Sequence, residues 1–159
     1  MFSKVKIGKK APDFSLPTHL GGRIRLSDFQ GRKNVLIAFY PLDYTPVCSN
    51  QMPAYESHLK EFEALNTAVL GISADSIPAH QSWSKSIGGI SFNLLSDFWP
   101  HGEVARKYGV FLDDKGIPDR YIFIVDKTGI IRYIEHVGLK NIPDNGRVLG
   151  FLKTLDNGQ

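Results

Sequence analysis

Apolar positions along this chain fall into two alternating rhythms. Val35 to Tyr40 is an unbroken apolar run, the signature of a strand covered on both faces. After Pro53 the spacing changes, and Tyr55, Leu59 and Phe62 recur at i, i+4 and i+7, one stripe of a helix. Ala68 to Ile72 is strand-like again, which completes a strand–helix–strand unit whose two strands should lie parallel. The alternation continues with a helix over Ser76–Ser86, a short strand over Phe92–Leu95 and a helix over Gly102–Tyr108. Tyr121–Val125 and Ile130–Glu135 flank "DKTG", which predicts a hairpin with Gly129 free to take a positive φ. A closing helix presents Val148, Phe151, Leu152 and Leu155 on one face.

Parallel units that finish in an antiparallel hairpin and a covering helix predict an α/β fold with a mixed central sheet and helices on both faces. A thioredoxin-like architecture matches this order best. The 159 residues fit one domain, 1–159, large enough to bury a core. No stretch approaches the roughly 20 apolar residues of a membrane span, and the first residues lack the apolar core of a signal peptide, so a soluble, cytoplasmic protein is expected. A net charge of +3 is scattered: "GKK" at 8–10 and "GRK" at 31–33 sit beside glycines and lack interleaved aromatics, so no nucleic-acid partner is expected. Pro53 predicts a kink or break around residues 50–53, because it lacks an N–H and pushes Met52 away from helical geometry.

One residue concentrates the chemistry. Cys48 is the single cysteine, and it follows a core strand within "FYPLDYTPVCSN", residues 39–50. Thr45 and Pro46 read as an N-cap and a first helical position, which puts Cys48 in the first turn of a helix. Amides there have no intrahelical acceptor and the dipole is positive, so a thiolate is stabilised. The plainer reading is a small buried hydrophobe. Five histidines, at 19, 58, 80, 101 and 136, show no paired spacing; they read as surface or interface imidazoles, and no metal or other cofactor is expected.

Pro41, Thr45 and Cys48 spell P-x-x-x-T-x-x-C, and "PLDYTPVC" resembles the peroxidatic motif of the peroxiredoxins, the AhpC/TSA family. "GKKAPDFSL", "GISADSIPAHQSW", "LLSDFWPHGEVARKYGVF" and "RYIFIVDKTGIIRY" extend the resemblance over nearly the whole chain, and "LLSDFWPHG" is most similar to the AhpE-like one-cysteine branch. The resemblance implies a thiol-dependent peroxidase acting on hydrogen peroxide and organic hydroperoxides. Within it Cys48 is the nucleophile that becomes a sulfenic acid, and Thr45 bonds the thiolate or peroxide while accepting a backbone amide. Arg120 supplies a cation beside the sulfur, and Pro41 shields the site from water. A homodimer with its interface beside the site is implied too, and Trp99 is expected in or near that interface.

Two departures matter. Pro53 stands where many single-domain relatives carry a resolving cysteine, so the reductant must be an external thiol, whether a small thiol or a thioredoxin- or glutaredoxin-like protein. Gln51 replaces the common family glutamate and keeps hydrogen-bonding capacity without charge. The competing readings are a peroxide-sensing thioredoxin-fold adaptor without efficient turnover, and a thiol hydrolase pairing Cys48 with His136. A disulfide oxidoreductase needs C-x-x-C, and "CSNQ" lacks the second sulfur.

Overall fold

The structure is a computed structural model that describes residues 5–158. A short hairpin opens the chain, with β1 at Ser15–Pro17 and β2 at Arg23–Arg25, followed by a 3₁₀ turn at Leu26–Phe29. Next come β3 (Asn34–Phe39), α1 (Pro46–Ser57), α2 (Leu59–Ala64), β4 (Thr67–Ser73), α3 (Ile77–Ser86), β5 (Asn93–Ser96) and α4 (Glu103–Lys107). A second small hairpin pairs β6 (Phe111–Leu112) with β7 (Ile117–Pro118). The chain then forms β8 (Tyr121–Val125), β9 (Ile131–His136) and α5 (Asn145–Gly158).

The central sheet runs β5-β4-β3-β8-β9. Its first three strands are parallel, and β8 and β9 continue it antiparallel, so the mixed sheet expected from the sequence is present. Every residue of β3 is buried, and period-2 alternation divides them between two cores. Leu36 and Ala38 pack with Met52, Tyr55, Phe62, Trp83, Val148 and Leu152 from the helices on one face. Val35, Ile37 and Phe39 face Val104, Ala105 and Tyr108, with Phe14 and Leu16 from the first hairpin, on the other. Among the described residues, no helix is long and apolar enough to cross a membrane.

The helix after the cysteine departs from the expected break. α1 continues through Pro53 and stops instead at His58. Burying Cys48, Gln51, Met52 and Tyr55 on one stripe fixes the segment against the sheet. Each large apolar side chain among them contributes about 1.5–3 kcal/mol, enough together to offset the roughly 3 kcal/mol of an interior proline. The interruption at His58 has a local cause: Ser57 Oγ and His58 Nδ1 both donate to the Ala54 carbonyl, at 2.9 and 3.0 Å. The His58 amide then turns to Tyr55 at 3.1 Å, and the Tyr55–Leu59–Phe62 stripe spans two helices.

Candidate active site

β3 delivers the chain to the site and β8 delivers its cation. Tyr40 and Pro41 are buried just beyond β3, the loop turns through Leu42–Tyr44, and Thr45 caps α1 with Pro46 at its first position. Cys48 therefore lies in the first turn, as the motif predicts, with none of its surface exposed. The antiparallel register sets Tyr121 opposite Phe39, so Arg120, one residue earlier, comes level with the end of β3. Its guanidinium reaches the cysteine, Nη2 donating to Cys48 Sγ at 3.3 Å.

Arg120 is 1% exposed and its other acceptors are neutral. Nε donates to the Gly138 carbonyl at 3.2 Å, Nη2 to the Leu139 carbonyl at 3.3 Å, and Nη1 to Gln51 Oε1. Gln51 passes the network on, its Nε2 donating to the Tyr55 hydroxyl at 3.1 Å. Burial pushes the Tyr55 phenol well above its usual range, so its oxygen remains a neutral acceptor here. A buried guanidinium without an anionic partner is costly. Among the described contacts of Arg120, the Cys48 sulfur is the one whose chemistry can supply a negative charge.

Thr45 occupies the predicted N-cap, but its side chain makes no capping bond. Oγ1 instead donates to the Leu42 carbonyl at 2.8 Å, which leaves its lone pairs as acceptors and ties the loop to itself. The surface reading of the histidines fails for two of them. His19 and His80 are both buried, His19 between the Ile90 carbonyl at 3.0 Å and the Leu94 amide at 3.1 Å. His136 does not join Cys48; its Nε2 pairs with Asp119 Oδ2 at 2.8 Å and its ring stacks on Tyr121, which removes the hydrolase alternative's general base.

Sequence reasoning missed the groups behind the loop. Asp43 bonds Tyr40 and His80, and Trp83 Nε1 donates to Ser49 Oγ at 3.1 Å beside the cysteine. Asp43 sits inside the quoted motif, so its place was visible, but its partners lie on other elements.

The AhpC/TSA family matches residues 7–134. Alkyl hydroperoxide reductase E of Mycobacterium tuberculosis is 43% identical over 131 residues, covering 82% of this chain and 85% of its own. Mouse peroxiredoxin-2 is 38% identical over 138 residues, 81% of this chain and 68% of its own. Among solved structures, reduced 2-Cys peroxiredoxin of Plasmodium vivax superposes with a TM-score of 0.89 at 30% identity, covering 95% of this chain and 82% of its own.

Proposed function

The chain belongs to the AhpC/TSA family and is a peroxiredoxin with the thioredoxin-like fold, a thiol-dependent peroxidase, and from that premise we propose that it works by a one-cysteine cycle on Cys48. The carrying observation is the buried Arg120 guanidinium 3.3 Å from the sulfur of the single cysteine.

The Cys48 thiolate attacks the terminal oxygen of a hydroperoxide. An S–O bond forms, the O–O bond breaks, and the leaving oxygen takes a proton to depart as water or an alcohol. The sulfur is oxidised to a sulfenic acid and the peroxide is reduced by the same electron pair. Arg120 offers a fixed cation where charge develops on the peroxide oxygens, and Thr45 offers its hydroxyl oxygen to orient the substrate. Pro41, buried at the start of the loop, keeps water from the reacting atoms. One external thiol then displaces water from the sulfenic acid to give a mixed disulfide, and a second thiol releases Cys48 and leaves as a disulfide. Both hydrogen peroxide and organic hydroperoxides present the terminal oxygen this chemistry needs. The reductant is a small thiol or a thioredoxin- or glutaredoxin-like protein, and the working form is a homodimer.

Peroxide consumption followed with a panel of thiol donors tests this reading. Turnover is expected only when a thiol is added, at a rate that depends on which one, and Cys48→Ser should abolish it while retaining the fold. Oxidation that stops after one turnover with every thiol would instead favour the sensor reading.

A further inference from the structure

The loop that carries Pro41 and Thr45 is held from behind by groups that the peroxide chemistry does not use. Asp43, at its middle, is buried. Its Oδ1 accepts from the Tyr40 hydroxyl at 2.7 Å, its Oδ2 meets His80 Nδ1 at 2.6 Å, and its backbone N–H donates to Asp75 Oδ2 at 2.9 Å. These partners come from the ends of β3 and β4 and from α3. His80 has no exposed surface, and its Nε2 lies 2.9 Å from the Leu95 carbonyl of β5. A carbonyl only accepts, so Nε2 carries a hydrogen, and the Nδ1–Oδ2 contact holds one further proton between imidazole and carboxylate. The Ser73 hydroxyl fixes Asp75 in turn, donating to Oδ2 at 2.6 Å. Ligand atoms of Asp43, Asp75 and His80 lie within 4.8 Å of one another, but the proton joining His80 to Asp43 leaves no gap for an ion between those two.

Immediately after this anchor the backbone is unusual. Tyr44 has φ of 68°, a left-handed conformation that a bulky residue keeps only where its surroundings impose it. Thr45 comes next and starts the helix that bears Cys48. The strained residue thus lies between a buried hydrogen-bonded anchor and the reacting turn. We propose that Asp43 and His80 are positioning residues: their clamp holds Tyr44 in its left-handed conformation and so sets the Thr45 hydroxyl where it orients the peroxide. The inference rests on the peroxidase reading above and deepens it.

The test compares two rates on the reduced protein in single turnover. One is sulfenic acid formation with hydrogen peroxide; the other is alkylation of Cys48 by iodoacetamide, which needs a thiolate but no peroxide geometry. Asp43→Asn keeps the hydrogen bonds, because its Oδ1 still accepts from Tyr40 and its Nδ2 donates to a neutral His80 Nδ1. Asp43→Ala loses both. The alanine variant should slow the peroxide reaction at least about tenfold while alkylation changes far less, and the asparagine variant should restore most of the rate. An alanine variant at the wild-type peroxide rate overturns the proposal. So does an asparagine variant as slow as alanine, which would assign the effect to charge, or an equal loss in both reactions. Should Asp43→Ala fail to fold, Tyr40→Phe removes one hydroxyl from the same clamp and carries the same comparison. A wild-type chain inert to hydrogen peroxide overturns the peroxidase reading, and the inference with it.

Discussion

A guanidinium buried to 1% exposure and bonded to carbonyls and an amide needs a counter-charge, and at Arg120 the sulfur of Cys48 is placed to supply it. Gln51 is well suited to this: a carboxylate at that position would compete with the thiolate for the same cation, whereas the amide holds the guanidinium without neutralising it. Arg120→Met should therefore slow sulfenic acid formation on the order of 10²-fold, as loss of a fixed donor at a developing charge does elsewhere. Stopped-flow single turnover measures it, and an unchanged rate would remove Arg120 from the chemistry. His19 offers a pH test. Burial lowers its pKa below the ordinary 6.5, because desolvation penalises the charged imidazolium more than the neutral ring. The unfolded chain then binds the proton more readily, so its contribution to stability is complete above 6.5 and is lost as the pH falls below it. Urea midpoints should drop between pH 7 and 5 more steeply in the wild type than in His19→Gln; parallel curves would contradict this. At this scale the sequence displayed Cys48, Thr45 and Arg120 because the motif and its flanking strands carry them. It concealed the Asp43–His80 pair because a contact across the loop and α3 leaves no periodic trace.

Elements were legible in proportion to their length. The apolar run of β3, the helical span of α3, the stripe of α5 and the "DKTG" hairpin all fall close to where the sequence puts them, and Gly129 takes φ of 87°. The hairpins β1–β2 and β6–β7 have strands of only two or three residues, too short to establish a period of two, and they escaped. Pro53 misled for a different reason: local propensity lost to the burial of α1 against the sheet. Its cost is nevertheless still present in the folded chain. Pro53→Ala restores a donor to the helix, and a stability gain of about 1–3 kcal/mol is expected by urea denaturation. A loss instead would mean that the proline ring itself packs in a way that alanine cannot replace.

Among the described residues, three aromatic side chains are largely exposed. Trp99 is 82% exposed beyond β5, with Phe98 beside it and Tyr44 on the cysteine's own loop also exposed. Exposed aromatics of this kind favour an interface core, so light scattering at micromolar concentration should give twice the 17.8 kDa chain mass, and Trp99→Glu should shift it toward the monomer. A monomer in the wild type would contradict the dimer. The one-cysteine cycle rests on the burial of Cys48 in the folded chain. Cys48 is fully buried, so two copies do not easily bring their sulfurs together, and within the chain no second sulfur of cysteine competes for the oxidised one. The most direct measurement is the intact mass of the protein after equimolar hydrogen peroxide with no thiol present, alongside trapping with a dimedone-type reagent. The cycle predicts one added oxygen, trappable as a sulfenic acid on Cys48, with a second oxygen appearing in excess peroxide and a mixed disulfide only once a thiol is added. Rapid and complete conversion to a Cys48–Cys48 linked dimer at equimolar peroxide would contradict it.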